Sequence, residues 1–156
     1  MNKFIVGIII IFSTFSTFSE AKESFSPPQL KELAEAYVKA KSSRQQPSAT
    51  VKEIDNYVSL LADDFIDEHI KYNFTYTNKA KLKSDMVAKL KDEFFYSHIT
   101  IKELMYGANV VFIKMTEKTK VKPHRLDKVI EHETTYIHSL EFDEKGLIKH
   151  IRRHAG

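Results

Sequence analysis

The sequence predicts an α+β domain in which helices cover one face of an antiparallel β-sheet. In the N-terminal half, apolar residues recur at helical spacing behind three capping residues; from Phe94 onward they recur at every second position. Helices that precede an antiparallel sheet pack together onto one of its faces. The 156 residues are 42% apolar, which is enough for one packed core. We therefore expect a single domain.

Three helices are predicted from their N-terminal caps. The first begins after Ser26, with Gln29 placed to complete a capping box. The second begins after Thr50 and extends to about Leu61, and the third begins after Asn78. Each helix carries one apolar stripe. The stripes consist of Leu30, Leu33, Ala34, Tyr37 and Val38, of Ile54, Tyr57 and Val58, and of Leu82, Met86 and Leu90.

Four strands are predicted from alternating hydrophobicity, at residues 94–105, 109–121, 129–143 and 147–154. Residues 106–109 and 143–146 form tight turns, and Gly146 is suited to a left-handed conformation. Because short turns join consecutive strands, we expect those strands to be antiparallel. A short strand near residues 65–70 is expected to add to the sheet.

The first 21 residues are typical of a secretory signal peptide. Lys3 precedes an apolar run at residues 4–12, and the small residues Ser19 and Ala21 fit a cleavage site. The run is shorter than the roughly 20 residues that span a bilayer. An uncleaved N-terminal anchor is the alternative. We therefore expect a folded domain at residues 22–156, in the periplasm or secreted from a bacterium, with no stable membrane span after cleavage.

Composition excludes several other classes. The chain has no cysteine, which excludes a disulfide scaffold, a thiolate metal site and a cysteine nucleophile. A net charge of +3 is only mildly basic and no recognition helix is evident, so no nucleic-acid partner is expected. The sequence also contains no Gly-rich phosphate loop, and we expect no cofactor.

Two short patterns carry a family resemblance. Residues 61–65, Leu-Ala-Asp-Asp-Phe, close a helix and open a strand, and residues 140–148, Leu-Glu-Phe-Asp-Glu-Lys-Gly-Leu-Ile, form a hairpin. With the order of the helices, they resemble the nuclear transport factor 2-like superfamily, which includes SnoaL-like cyclases and ketosteroid isomerase. The resemblance covers roughly Gln29 to His154. It implies a cone in which three N-terminal helices are packed in a curved antiparallel sheet, with a pocket at the open end and a possible homodimer through the sheet.

The same resemblance implies three site residues. In the steroid isomerases of that superfamily, a Tyr in the first helix and a protonated Asp donate to the developing oxyanion, and a carboxylate is the base. The matching positions here are Tyr37, His138 and His69, so two acids are replaced by histidine. Imidazole titrates near neutral pH and can still transfer protons. Lining a polar pocket without catalysis is the alternative for both histidines.

The strand at 129–143 indicates what the pocket binds. Its even positions carry most of its apolar and aromatic side chains, so we expect this face to be concave and to line the pocket. A cavity of aromatic side chains with a few polar groups suits a small apolar molecule with one or two polar handles. The candidate ligand-binding residues are Tyr57, Phe65, His98, His132 and Tyr136.

The seven histidines do not predict a metal site. His150 and His154 share a strand face but lie ~13 Å apart, and His132 and His138 lie ~20 Å apart, too far to share one ion.

Two charged runs are interpreted as solvated surface. Asp63, Asp64, Asp67 and Glu68 are expected at a solvated helix end, with a pocket carboxylate of raised pKa as the alternative. The basic residues between 114 and 128 are expected in a solvated hairpin connection. Binding of anionic lipid or polysaccharide is the alternative for this run.

Three functions are therefore open. The first is an exported domain whose internal pocket binds a small, largely apolar ligand. The second is an acid–base enzyme of the isomerase, dehydratase or cyclase type that uses Tyr37, His69 and His138. The third is a cell-envelope interaction module that uses the face of the sheet.

Overall fold

The computed structural model describes residues 24–155, so the segment assigned to a signal peptide lies outside the described residues. Within this range there are three α-helices: α1 (Pro27–Ser43), α2 (Val51–Val58) and α3 (Lys79–Ala88). The strands are β1 (Leu61–His69), β2 (Phe74–Tyr76), β3 (Glu93–Gly107), β4 (Val110–Lys122), β5 (Ile130–Phe142) and β6 (Ile148–Ala155). The predicted α+β class with three N-terminal helices and a curved sheet is confirmed.

All three predicted helix caps are present. Ser26 and Thr50 each form a capping box. The Asn78 side chain accepts a 2.9 Å hydrogen bond from the backbone N–H of Lys81. These bonds satisfy N–H groups that the first turn of a helix leaves without partners.

The six strands form one mixed sheet in the order β2-β1-β6-β5-β4-β3. The neighbours in β3, β4, β5 and β6 are antiparallel, as predicted from their short connections. The β1–β6 pair is parallel. No local turn joins these two strands, so the sequence does not predict this pair. The hydrogen-bond ladders are interrupted by register shifts in β1, in β3 and between β5 and β6. Shifts of this kind are typical of β-bulges, which bend a sheet.

Several predicted element bounds are corrected. Helix α2 ends at Val58 rather than Leu61, because Leu61 is already paired with Ile148 in the sheet. The acidic run is therefore part of β1 and not a solvated helix end. Strand β2 was not predicted, since three residues are too few to show alternation. The basic run is mostly strand β4, and only the residues after Lys122 form a connection.

The core lies between the three helices and the concave face of the sheet. Helix α1 contributes Leu30, Ala34, Tyr37 and Val38, and the other helices contribute Ile54, Tyr57, Leu82 and Met86. The facing strand residues include Val111, Ile113, Met115, Leu140 and Ile151. Among the described residues, no helix is long and apolar enough to cross a bilayer.

Candidate functional site

A cavity of about 720 Å³ opens between the C-terminal end of α1 and the concave face of the sheet. Its apolar wall includes Ile54, Met86, Phe94, Val121 and Tyr136. Its polar wall includes Lys41, Arg44, Gln45, His69, Glu117, His132, Thr134, His138 and Arg153. The volume is that of a small-molecule site, and the mixture of apolar surface with a few converging polar groups is typical of one.

His138 is held in place by a tyrosine behind it. The Tyr37 hydroxyl lies 2.9 Å from Nδ1 of His138, and both side chains are buried. Burial raises the pKa of Tyr37, so its hydroxyl stays protonated. Burial and the nearby Arg153 and Lys41 hold the pKa of His138 well below its usual value, so the ring is neutral. Since Tyr37 occupies Nδ1, the other ring nitrogen of His138 is left for a ligand.

A second tyrosine lies beside Tyr37. The rings of Tyr37 and Tyr57 are 5.8 Å apart between centroids, and Arg153 Nη2 donates to the Tyr57 hydroxyl over 3.0 Å. The Tyr37 hydroxyl keeps its proton, and Nδ1 of His138 is an acceptor within hydrogen-bonding distance of it. If Tyr37 donates to Nδ1 of His138, Nε2 carries the proton of the neutral ring.

Arg153 is anchored by a carboxylate from the neighbouring parallel strand. Its Nε donates to Oδ1 of Asp67 over 2.7 Å, and its Nη2 contacts Oδ2 of the same side chain. Asp67 is fully buried, so this fork-to-fork pair is shielded from solvent. His69 Nε2 lies 3.7 Å from Oδ1 of Asp67, beyond hydrogen-bonding distance. Burial and Arg153 lower the pKa of His69, although Asp67 acts in the opposite direction.

A buried ion pair forms the opposite wall. Lys41 Nζ donates to Oε2 of Glu117, and the two side chains are only 6% and 7% exposed. Gln45 and Thr119 donate to Oε1 of Glu117 over 3.0 and 3.3 Å. Burial lowers the pKa of Lys41 to about 8, while Glu117 opposes that shift. Burial raises the pKa of Glu117, but Lys41 and Gln45 outweigh it and keep the carboxylate ionised.

The structure sorts the predicted site residues into three groups. His132, Tyr136 and His138 line the cavity from the even positions of β5, and His69 lines it from β1. Tyr37, Tyr57 and Phe65 do not line it and lie in the core behind it. His98 lies on the outer face of the sheet, stacked on Tyr96 and paired with Lys118, because the inward position beside it is taken by Ser97.

The sequence did not reveal the charged wall of the cavity, which includes Lys41, Arg44, Glu117 and Arg153. Signals for two of them were present. Lys41 lies one helical turn after Tyr37 on the apolar stripe of α1, and Glu117 continues the inward positions of Val111, Ile113 and Met115 on β4. Glu117 was instead interpreted as part of the solvated connection at residues 114–128, and Lys41 was not singled out.

Among residues 24–155, no three His, Asp or Glu side chains are grouped as they would be around a metal ion.

Comparisons with known proteins identify the fold. No protein-family model matches the chain, and no curated protein matches it. A solved structure from Shewanella putrefaciens, of a protein classed as a SnoaL-like polyketide cyclase, is 16% identical, with a TM-score of 0.65 over 98% of this chain and 92% of that chain. An LEH-like epoxide hydrolase from M. tuberculosis is 14% identical, with a TM-score of 0.59 over 83% and 84%.

A third neighbour gives the same result. A protein with a ketosteroid isomerase-like fold from Catenulispora acidiphila, solved in complex with trimethylamine, is 13% identical, with a TM-score of 0.60 over 80% of this chain and 85% of that chain. At these identities the likeness concerns the fold and not the activity. The predicted resemblance is thereby confirmed at the level of architecture: this chain has the α+β cone fold of the nuclear transport factor 2-like proteins.

Proposed function

We propose that this chain is an exported small-molecule-binding domain whose ligand occupies the cavity. The observation that carries the proposal is the cavity itself, about 720 Å³ in volume. A solid core would have filled this space, since protein interiors are close-packed. The apolar wall formed by Ile54, Met86, Phe94 and Val121 favours a largely apolar ligand.

The polar end of the cavity supports a ligand with at least one polar group. His138 is neutral, is fixed by Tyr37 and offers its remaining ring nitrogen. Its neighbours His69 and Arg153 line the same cavity. A polar group of the ligand placed here would hydrogen-bond to side chains that are already oriented, so little ordering entropy would be lost on binding.

Binding can be tested by filling the cavity from one strand. Thr134 lines the cavity, while the adjacent Thr135 contacts Thr116 on the other face of the sheet. We expect a panel of lipids and steroid-like molecules to include members that raise the melting temperature of the wild type. Thr134→Trp should abolish that rise and Thr135→Trp should preserve it. The absence of any ligand-induced rise in the wild type would contradict the proposal.

An acid–base enzyme of the isomerase, dehydratase or cyclase type is the second candidate. One observation favours it: His69 and His138 line one cavity, and burial and nearby cations lower the pKa of each. A neutral imidazole in a partly dry site can accept a proton from a carbon acid. Deuterium exchange next to the carbonyl of a bound ketone, followed by NMR in D2O, should then depend on His69. Equal exchange by the wild type and His69→Ala would exclude this role.

Tyr37 has a different part in this candidate than the resemblance implies. It lies behind His138 and does not line the cavity, so His138 would be the group that touches the ligand. Tyr37 would then act as a positioning residue that fixes the ring of His138.

Export and assembly are proposals of their own. Export rests on the signal-like segment 1–21, and the mass of the protein recovered from the periplasm or medium should correspond to a chain that begins at Lys22.

A homodimer, or an envelope partner, on the outer face of the sheet is supported by the exposed Met105, Phe112 and Ile137. Light scattering should give a dimer mass that Phe112→Lys reduces to that of a monomer.

A further inference from the structure

Arg44 is a cation of the cavity wall that forms no ion pair with any residue in 24–155, whereas two other cations of the wall are neutralised. Lys41 is paired with Glu117, and Arg153 with Asp67. The Arg44 guanidinium instead lies over the ring of Tyr57, 5.0 Å from its centroid. Burial lowers the pKa of Arg44, and Arg153 adds to that effect. A guanidinium nevertheless stays charged in proteins, so an uncompensated charge remains here.

Unsatisfied polar atoms also collect at this cavity. Four buried side-chain nitrogen or oxygen atoms in the described part of the chain have no hydrogen-bond partner. Three of them, Arg44 Nε, Gln45 Oε1 and His69 Nε2, belong to residues that line the cavity. Buried polar atoms are normally satisfied, so this grouping points to partners supplied by a ligand or by water.

The cavity wall as a whole carries a net positive charge, like Arg44 itself. Five cationic side chains line the cavity, Lys41, Arg44, Lys71, Lys89 and Arg153, against two carboxylates. Both carboxylates are already engaged, Glu117 by Lys41 and Asp92 by His124. Charged walls of one sign around a low-dielectric cavity raise the local concentration of ligands of the opposite sign.

We propose that the ligand carries a carboxylate, and that this group binds to the Arg44 guanidinium beside His69. The inference rests on the proposed function, since it names the chemical class of the ligand of that same cavity. A guanidinium presents two parallel N–H donors to a carboxylate, which no other unpaired group of this wall can do. The apolar wall then contacts the remainder of the molecule, so the ligand is an apolar carboxylic acid.

A carboxylate fits this wall better than a phosphate. Only one guanidinium of the wall lacks an ion pair among the described residues, and His69 and His138 are neutral because burial and the neighbouring cations lower the pKa of each. Lys71 and Lys89 also form no ion pair within the described part of the chain, but both are exposed. One negative charge is therefore matched by the guanidinium of Arg44, whereas the second charge of a phosphate monoester would have only these exposed lysines to pair with.

Calorimetry on the full-length protein, with ligands that differ only in the polar group, tests the inference. The first set is octanoate, 1-octanol, octylamine and octyl phosphate. Two further sets contain the acid, the alcohol and the amine built on 2-methylnaphthalene and on a bile-acid skeleton. We expect the carboxylate to bind roughly ten- to a hundredfold more tightly than the alcohol, the usual effect of a hydrogen bond to a charged group.

Arg44→Met provides the decisive variant, because it keeps an unbranched apolar side chain beside Tyr57 and removes the charge and the N–H donors of the guanidinium. The preference for the carboxylate over the alcohol should fall to about onefold in Arg44→Met, since the charge-assisted bond is lost. The control Lys31→Gln, an exposed cation of the same helix, should leave the preference unchanged.

Other results would overturn the inference in distinguishable ways. If alcohols, amines or the phosphate bind as tightly as the carboxylates, the carboxylate site is wrong and the small-molecule cavity stands. If the preference survives in Arg44→Met, the anion binds elsewhere and the assignment to Arg44 is wrong. If no member of any set binds the wild type, the proposed function itself fails.

Discussion

The Tyr37 hydroxyl and Nδ1 of His138 are 2.9 Å apart, although the two residues are separated by 101 positions in the sequence. The bond connects α1 to β5 through the interior of the cone and fixes the orientation of a histidine that lines the cavity. It couples the stability of the fold to the geometry of the candidate site.

Removing the Tyr37 hydroxyl should therefore destabilise the protein. Tyr37→Phe leaves Nδ1 of His138 buried without a partner, and we expect the free energy of unfolding to fall by about 1–3 kcal/mol. Urea denaturation measures this. The matched control is Tyr72→Phe at the cavity mouth, where the side chain is 71% exposed and its loss should have little effect. Equal effects of the two substitutions would contradict the role assigned to the bond.

The tautomer of His138 is a separate prediction. Because burial raises the pKa of Tyr37 and keeps its hydroxyl protonated, and Nδ1 of His138 lies 2.9 Å away as an acceptor, we expect Nδ1 to accept and Nε2 to carry the proton. Long-range ¹H–¹⁵N correlation spectra at pH 7 should show the Nε2–H form. A spectrum of the Nδ1–H form would reverse the direction of this hydrogen bond and leave an acceptor facing the ligand.

The protein should lose stability between pH 6.5 and pH 5. Burial, followed by nearby cations, lowers the pKa of His138 and of His69 in the folded state. As the pH falls through 6.5, these histidines become protonated in the unfolded chain first, so the unfolded state binds more protons and is favoured. Each histidine contributes a slope of up to about 1.4 kcal/mol per pH unit.

Urea denaturation at several pH values measures that slope. His138→Gln should reduce it, since the titrating group is gone while an acceptor for Tyr37 is kept. His98→Gln, on the outer face, is the control and should leave it unchanged. The buried carboxylate Glu117 does not interfere, because Lys41 and Gln45 outweigh burial and hold its pKa below its usual value, outside the range of the measurement. A flat profile in the wild type would be inconsistent with buried neutral histidines.

The buried ion pair of Asp67 and Arg153 should contribute far more to the stability of the fold than the exposed ion pair of Asp64 and Lys149. Asp67→Asn leaves a buried guanidinium without its counter-charge, which typically costs about 3–5 kcal/mol. Asp64→Asn is the control, since Asp64 is largely exposed and its contact with Lys149 is 3.5 Å long. Thermal unfolding of both variants gives the comparison. Similar melting temperatures would mean that Arg153 finds another partner.

Local patterns were sufficient to predict most of the fold. The caps at Ser26, Thr50 and Asn78 and the period-two strands after Phe94 are set by neighbouring residues, so they are visible in the sequence. The parallel pairing of β1 with β6 is not local, and no short turn dictates it. The acidic run at residues 63–68 was misassigned for this reason. Asp67 can be buried because Arg153 on the neighbouring strand β6 pairs with it, and this pairing is not visible in the local sequence.

The site was predictable only in part for a related reason. His138 and His69 were found through the resemblance, and His132 and Tyr136 through the alternation of their strand. The charged wall was not found, because a charged residue on an apolar stripe is ordinarily solvated. Burial of Lys41 becomes favourable only when Glu117 on a distant strand is brought opposite to it.

Any side chain at Gly146 should strain the turn before β6 and lower the stability of the protein. This residue has a φ of +78°, and a Cβ there would lie 3.3 Å from Cδ2 of Leu33 on α1. A left-handed conformation costs a residue other than glycine about 1–3 kcal/mol, so Gly146→Ala should lower the free energy of unfolding by that amount. Gly107, the last residue of β3, has no positive φ, and a Cβ there would lie 3.7 Å from its nearest neighbour, Cβ of Val110. Gly107→Ala should therefore be neutral or slightly stabilising in the same denaturation experiment. If Gly146→Ala is as stable as Gly107→Ala, the turn relaxes without strain and does not hold α1 against the sheet.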